Sequence, residues 1–186
     1  MLKALLLIAS SFFMMIAGES AMASAQAQSF TVTSPGSADG ALLTRRNAAS
    51  AGDCGGENIS PPIAWSHAPG GTLSHAIIMY DPDGGKGLGS VHWVAYDMAP
   101  STNLLGEGAG SAASGLFVGG KNTRGTMDYA GPCPPIGEQP HHYVFSVYAL
   151  DLKPGTLQPG LTRDALLQAM RRHVLAASSI VLRYAR

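Results

Sequence analysis

Most hydrophobic positions of this chain fall in short runs of β-branched and aromatic residues, bounded by glycine, proline and other turn residues. FTVTS (residues 30–34), HAIIMY (75–80), VHWVAYDM (91–98) and YVFSVYALD (143–151) each have the length and composition of a β-strand. The final run, SIVLRYAR (179–186), is of the same kind. This pattern predicts a protein built mainly from strands.

One segment near the C-terminus has helical periodicity instead. Thr162 can cap a helix, and Leu166, Met170 and Val174 recur at every fourth position, on one face of that helix. The spacing predicts a helix that begins at Thr162 and ends near residue 177. A strand-rich chain with a single helix near its end is of the α+β class, with β-structure dominant.

The N-terminus has the pattern of a secretory leader. Lys3 supplies a positive charge, the apolar run after it is too short to span a bilayer as a helix, and small residues follow. Cleavage after Ala23 gives a signal peptide over residues 1–23 and one domain over residues 24–186. Cleavage after Ala25 and an uncleaved N-terminal anchor are the alternatives. We therefore expect an exported protein, periplasmic or secreted, with no membrane span in its mature form.

Charge and cysteine content narrow the function classes further. The chain has twelve Lys and Arg and twelve Asp and Glu, so its formal net charge is zero, and no basic cluster marks a nucleic-acid surface. The two cysteines, Cys54 and Cys133, form an even pair in a chain that we expect to be exported. They therefore predict a disulfide, with two free buried thiols as the alternative.

Polar residues capable of chemistry stand at the ends of the predicted strands. If residues 75–80 and 91–98 form adjacent antiparallel strands, Asp81 and His92 lie at the same end of the sheet. His141 and Tyr143 are two positions apart at the start of another strand, so alternation points both to one face. These four side chains are candidates for one site.

Several blocks occur in order along nearly all of the predicted domain: ENISPPIAW (57–65), MYDPDGG (79–85), VHWVAYDM (91–98), DYAGPCPP (128–135) and HHYVFSVYALD (141–151). Together they resemble the phosphatidylethanolamine-binding protein family, in its bacterial Raf-kinase-inhibitor-like branch. The resemblance implies a mostly β (α+β) fold, with a two-sheet antiparallel architecture and a C-terminal helix.

The resemblance also implies a pocket for a small anion or a phospholipid head group, with no cofactor and no metal. Matched one by one to the family motifs, the pocket residues are Asp81, His92, Gly131, Pro132, His141 and Tyr143. Imidazole, phenol and backbone N–H groups can all donate to a phosphate or carboxylate. An ionised aspartate only accepts, so we expect Asp81 to hold a histidine in its donating tautomer.

Two departures from the family motifs affect the rim of this pocket. Gly84 and Gly85 follow Asp83 where the family has Ala-Pro, which removes a stiffening proline. His142 replaces the arginine of the His-Arg-Tyr motif and removes a fixed fork of donors. The rim shape and any partner surface at this position are therefore expected to differ from those of relatives.

Other readings of the same residues are weaker. GLFVGGKNT (115–123) approaches a P-loop but has Asn122 in place of Ser or Thr, and no GxSxG nucleophile motif occurs. Asp81, Asp83, His92 and His141 could ligate a metal by residue type, but their spacing matches no metal motif.

The predicted function is a binding or regulatory protein, not an enzyme, with inhibition of a protease-type or kinase-type protein as a further role that the resemblance implies. A hydrolase that uses Asp81 and His92 as an acid-base pair, with or without a metal ion, is the alternative.

Overall fold

The structure is a computed structural model that describes residues 28–186, so the predicted signal peptide lies outside the described residues and stays a prediction. The strands are β1 (Thr31–Thr33), β2 (Ile63–Ser66), β3 (Ser74–Asp81), β4 (Ser90–Met98), β5 (Leu104–Leu105), β6 (Val118–Gly120), β7 (His141–Leu150) and β8 (Val174–Tyr184). The helices are a short turn, α1 (Gly84–Gly87), and α2 (Arg163–Met170), and a 3₁₀ turn covers Arg45–Asn47. In residues 28–186 no helix is long and apolar enough to span a bilayer.

The strands form two antiparallel sheets, which confirms the predicted architecture. The small sheet has the order β1-β2-β5, and the large sheet has the order β6-β4-β3-β7-β8. Strand β3 pairs with β4 on one side and with β7 on the other, and both pairings are antiparallel. The end of β3 therefore lies between the starts of β4 and β7, at one edge of the large sheet.

Strand β3 is buried on both faces, which explains its nearly unbroken apolar sequence. Ile77 and Met79 pack into the core that the large sheet shares with the small one. Ala76 and Ile78 pack on the opposite face, in the core that includes residues of α2. Fully burying a side chain such as Ile77 stabilises the fold by about 1.5 to 3 kcal/mol.

Helix α2 is shorter than the sequence predicts. The Thr162 side chain caps it, and Leu166 and Met170 are buried as the periodicity indicates. The helix ends at Met170, however, so its predicted continuation to residue 177 is wrong. Val174 instead begins β8, which pairs with β7 along almost its whole length. These backbone hydrogen bonds outweigh a local helical pattern, since propensity is only a weak preference.

The connection between β3 and β4 is a compact turn formed largely by α1. Gly85 and Lys86 have φ angles of 59° and 61°, in the left-handed region that glycine adopts without steric cost. The Gly89 N–H donates a 2.8 Å hydrogen bond to the Gly84 carbonyl, which closes the turn. The connection therefore stays close to the strand ends that carry Asp81 and His92.

Candidate functional site

A cavity lies at the edge of the large sheet where β3 ends and where β4 and β7 begin. The structure brings together there four of the side chains that the sequence singles out: Asp81, His92, His141 and Tyr143. Each of them is less than a tenth exposed. Strand geometry explains the grouping, because antiparallel neighbours place the end of one strand beside the starts of the other two.

Asp81 is held by hydrogen bonds on both of its carboxylate oxygens. Its Oδ1 accepts from the backbone N–H groups of Asp83 and Gly84, at 2.9 and 3.0 Å. Its Oδ2 accepts a 2.8 Å hydrogen bond from the Nδ1–H of His141, whereas His92 Nε2 is 3.9 Å away. Asp81 is therefore a neighbour of His92, but the histidine that it orients directly is His141.

His141 lies between two carboxylates. Its Nδ1 bonds Asp81, and its Nε2 lies 3.1 Å from Oε2 of Glu138, a residue that sequence reasoning missed. Burial opposes a charge on this ring, but the hydrogen bonds to the two carboxylates outweigh burial and raise the pKa of His141. A ring that donates to a carboxylate from each nitrogen is an imidazolium.

His92 is held in the opposite protonation state. Its Nδ1 lies 2.6 Å from the Ala130 carbonyl oxygen, which can only accept, so Nδ1 carries the proton. Burial lowers the pKa of His92, and the Ala130 carbonyl and the Asp81 carboxylate offset this only in part. In the neutral ring Nε2 is therefore an acceptor, and it lies on the side of Asp81 and the cavity.

Tyr143 contributes a hydroxyl to the cavity wall. Its ring is fully buried, with its centroid 5.2 Å from that of His92 in an edge-to-face arrangement. Burial raises the pKa of Tyr143, so the phenol stays protonated. Within residues 28–186 this hydroxyl makes no hydrogen bond to another side chain or to the backbone, which leaves its donor available to a ligand.

Gly131 and Pro132 lie behind the cavity wall. The Gly131 N–H donates a 2.8 Å hydrogen bond to Asn58 Oδ1, and the Pro132 carbonyl accepts from Ala49 N–H. The wall itself is formed by the flanking residues Ala130, Cys133, Pro134 and Pro135. Direct ligand binding by Gly131 and Pro132 stays a prediction, and in this structure the Gly131 donor is already occupied.

The disulfide predicted from the two cysteines is present and borders the cavity. Cys54 and Cys133 are joined, with their Cα atoms 5.4 Å apart. Cys133 belongs to the loop that forms the cavity wall, and Arg186 Nε donates to the carbonyl of its neighbour Pro134. The loop is therefore fastened to the rest of the domain both covalently and by hydrogen bonds.

Arg124 lines the cavity, although no sequence pattern pointed to it. Its position depends on Asn122, which is buried and whose Oδ1 accepts from the backbone N–H groups of Arg124 and Thr126, at 2.9 and 3.1 Å. An asparagine that bonds the backbone two residues ahead is a turn signal that the sequence does contain. That the turn carries Arg124 to this cavity is decided by the tertiary fold.

The cavity encloses about 160 Å³, below the roughly 300 to 1,000 Å³ of sites for drug-sized ligands. Gly84 keeps it open, because a Cβ there would lie 3.0 Å from Asp81 Oδ2 and 2.8 Å from Ser90 Cβ. Asp83 turns away and accepts a 2.9 Å hydrogen bond from His142 Nδ1. Asp83 therefore does not join Asp81, His92 and His141 in the four-residue metal set considered from sequence.

Comparisons with known proteins agree with the fold and the motifs. Residues 33–185 match the family described as phosphatidylethanolamine-binding protein. The chain is 41% identical over 136 residues to a UPF0098 protein of Methanothermobacter thermautotrophicus, covering 72% of this chain and 87% of that protein. It is 40% identical over 131 residues to the UPF0098 protein YbcL of Escherichia coli K12, and these residues are 68% of this chain and 72% of YbcL.

The crystal structure of Escherichia coli YbcL is similar to the whole domain, with a TM-score of 0.78 at 31% identity over 86% of this chain and 99% of that one. A protein of Mycobacterium tuberculosis named as a lipoprotein, LppC, is 39% identical over 133 residues, which are 69% of this chain and 61% of that protein. Family match, sequence identity and shared architecture lead to one conclusion: the chain belongs to the phosphatidylethanolamine-binding protein family.

Proposed function

We propose that this protein is an exported binding protein whose cavity holds a small anion, either phosphate or the phosphate of a phospholipid head group. The observation that carries the proposal is the convergence of Arg124, Tyr143 and the charged His141 on one small cavity. A guanidinium and a phenol donate hydrogen bonds directly, and the imidazolium supplies positive charge and, once an anion displaces Glu138 from Nε2, a third donor. Hydrogen bonds from charged donors to oxyanions are the strongest. The name of the family is consistent with a phospholipid head group.

The buried carboxylate of Asp81 does not argue against an anion. Two backbone N–H groups and the charged His141 ring already donate hydrogen bonds to it, and these donors balance its negative charge. Its role in the proposal is to keep His141 charged and oriented. The anion is bound by the donors on the open side of the cavity.

Three features support export. Disulfides persist in oxidising compartments and are rare in the cytosol, and the chain carries the Cys54–Cys133 bridge. A relative named as a lipoprotein is compatible with the same location. The leader pattern in residues 1–23 points the same way. Inhibition of a protease-type or kinase-type protein remains a role that only the family resemblance suggests.

The binding role is better supported than the hydrolase alternative. Asp81 Oδ1 accepts from two backbone N–H groups and Oδ2 accepts from the His141 ring, so its lone pairs are engaged in holding the strand ends and His141. His92 Nε2 is 3.9 Å from Oδ2, beyond hydrogen-bond distance, so Asp81 does not orient His92 as a base. We therefore assign Asp81 to holding His141 and not to general acid-base chemistry.

Calorimetric titration with inorganic phosphate and with phosphoethanolamine tests the proposal. Tyr143→Phe is expected to weaken phosphate binding roughly tenfold, the cost of one hydrogen bond to a charged group. Arg124→Gln is expected to weaken it by about two- to fivefold, because Arg124 is exposed. Arg172→Gln, which removes an exposed arginine just after α2, is the matched control and leaves the affinity unchanged.

Absence of saturable binding of either compound at high concentration would refute the proposed function. Turnover of a phosphomonoester that is lost in His92→Ala would refute it in favour of the hydrolase.

A further inference from the structure

His92 presents an acceptor, and not a donor, to the cavity. Its only N–H, on Nδ1, is used up by the Ala130 carbonyl at 2.6 Å, deep in the wall. What it presents to the cavity is the lone pair of Nε2. A lone pair repels the oxygen of a fully ionised anion and attracts a hydrogen.

A second acceptor lies beside it. Asp81 Oδ2 is 3.9 Å from His92 Nε2, too far for a hydrogen bond between them even if the ring were protonated. Oδ2 already accepts from His141, so this corner of the cavity is lined by two acceptors with no hydrogen of their own directed into it. The donors of the cavity, Arg124 and Tyr143, belong to other parts of its wall.

We infer that the cavity selects anions that carry a hydrogen, such as monohydrogen phosphate or a singly protonated phosphomonoester, over fully ionised anions such as sulfate or the phosphodiester of a phospholipid. Of the two ligands proposed above it therefore favours phosphate. The inference rests on the proposed function and names the ligand class of the same site. The ligand's P–O–H donates to His92 Nε2, and its ionised oxygens accept from Tyr143 and Arg124. They also accept from His141 after the ligand has displaced Glu138 from His141 Nε2. Sulfate has no hydrogen to give and meets the Nε2 lone pair with an oxygen.

The charged groups around His92 support this reading. Asp81 on β3 and the imidazolium of His141 on β7 oppose each other in sign, and Arg124 adds a further positive charge that disfavours protonation of His92. Tyr143 on β7 packs edge-to-face against the ring and is neutral. A fully ionised anion can therefore bind only together with a proton taken up at Nε2, and this uptake becomes easier as the pH falls.

The experiment compares phosphate with sulfate by calorimetry on the intact domain at pH 7.5, in two buffers of different ionisation enthalpy. Phosphate is expected to bind at least about tenfold more tightly than sulfate, because an acceptor left facing an acceptor costs a buried hydrogen bond. Sulfate binding should take up about one proton, which is seen as a binding heat that depends on the buffer. The ratio of the phosphate affinity to the sulfate affinity should fall towards one as the pH is lowered towards 5. The His92→Gln variant, whose amide can donate as well as accept, should bind the two anions with similar affinity.

The outcomes separate the two claims. If phosphate and sulfate bind equally at pH 7.5 without proton uptake, the inference is overturned and the proposed anion site stands. If neither anion binds, the proposed function fails and the inference falls with it. A nitrogen-15 spectrum of the free protein gives a readout that needs neither ligand nor variant, and a proton found on Nε2 of His92 instead of Nδ1 would overturn the inference by itself.

Discussion

Replacing Glu138 by glutamine is expected to tighten phosphate binding by about fivefold. In this structure the Glu138 carboxylate accepts from His141 Nε2 at 3.1 Å, which is the donor that an anion in the cavity would use. Glu138 therefore engages this donor, and we expect an anion that bonds His141 Nε2 to displace it. Glutamine has the same shape but no charge, so it competes less strongly and repels the anion less.

The magnitude follows from the exposure of the pair. A hydrogen bond to a charged group contributes about 1.5 to 3 kcal/mol and a neutral one about 1 kcal/mol. The His141 side chain is 9% exposed, but that of Glu138 is 54% exposed, so solvent reduces the difference towards the 0.2 to 1 kcal/mol of surface pairs. We take about 1 kcal/mol, which corresponds to a fivefold change in the dissociation constant.

Calorimetry of the variant gives the affinity, and proton NMR of the His141 ring gives its pKa. The pKa of His141 is expected to fall in Glu138→Gln, because one of the two carboxylates that raise it is lost. Glu107→Gln is the matched control, since Glu107 pairs with Arg46 away from the cavity, and it should change neither quantity. A variant whose His141 pKa falls while phosphate affinity stays constant or weakens would refute the competition.

Two further predictions concern stability. The Cys54–Cys133 bridge spans 79 positions, and the chain-entropy model gives roughly 4.5 kcal/mol as an upper limit for its contribution. The double variant Cys54→Ala/Cys133→Ala should lose about 2 to 4 kcal/mol in urea unfolding, and a loss below about 1 kcal/mol would contradict this. Burial lowers the pKa of His75, so the unfolded chain takes up the proton first and stability falls as the pH drops below about 6.5. In His75→Leu the free energy of unfolding should fall less steeply between pH 7 and 5, by at most about 1.4 kcal/mol per pH unit less than in the parent protein. An equally steep fall in the variant would exclude His75 as its cause.

Local sequence predicts the three central strands, β3, β4 and β7, and where the polar residues stand on them. β-branched and aromatic runs bounded by turn residues give β3, β4 and β7 within one or two residues, because side-chain crowding and turn chemistry act over a few neighbouring positions. The same pattern places Asp81, His92, His141 and Tyr143 at strand ends. Their convergence follows once the three strands are antiparallel neighbours, so these members of the candidate site could be predicted.

The tertiary structure decides what each of those residues does. Asp81 accepts a hydrogen bond from His141 at 2.8 Å. His92 presents a lone pair on Nε2 because its Nδ1–H donates to the Ala130 carbonyl, 38 positions along the chain. Val174 joins a strand, against its local helical spacing, because β7 offers it hydrogen-bond partners. Arg124 reaches the cavity on a turn that the Asn122 side chain stabilises by accepting two backbone hydrogen bonds.

These outcomes depend on contacts between residues far apart in sequence. The preferences of single segments carry no information on which distant groups will meet, and burial sets protonation only after the chain has packed. The sequence by itself therefore determined the three central strands and which polar residues stand at their ends. The packed fold decided the hydrogen-bond partners of these residues and their charges.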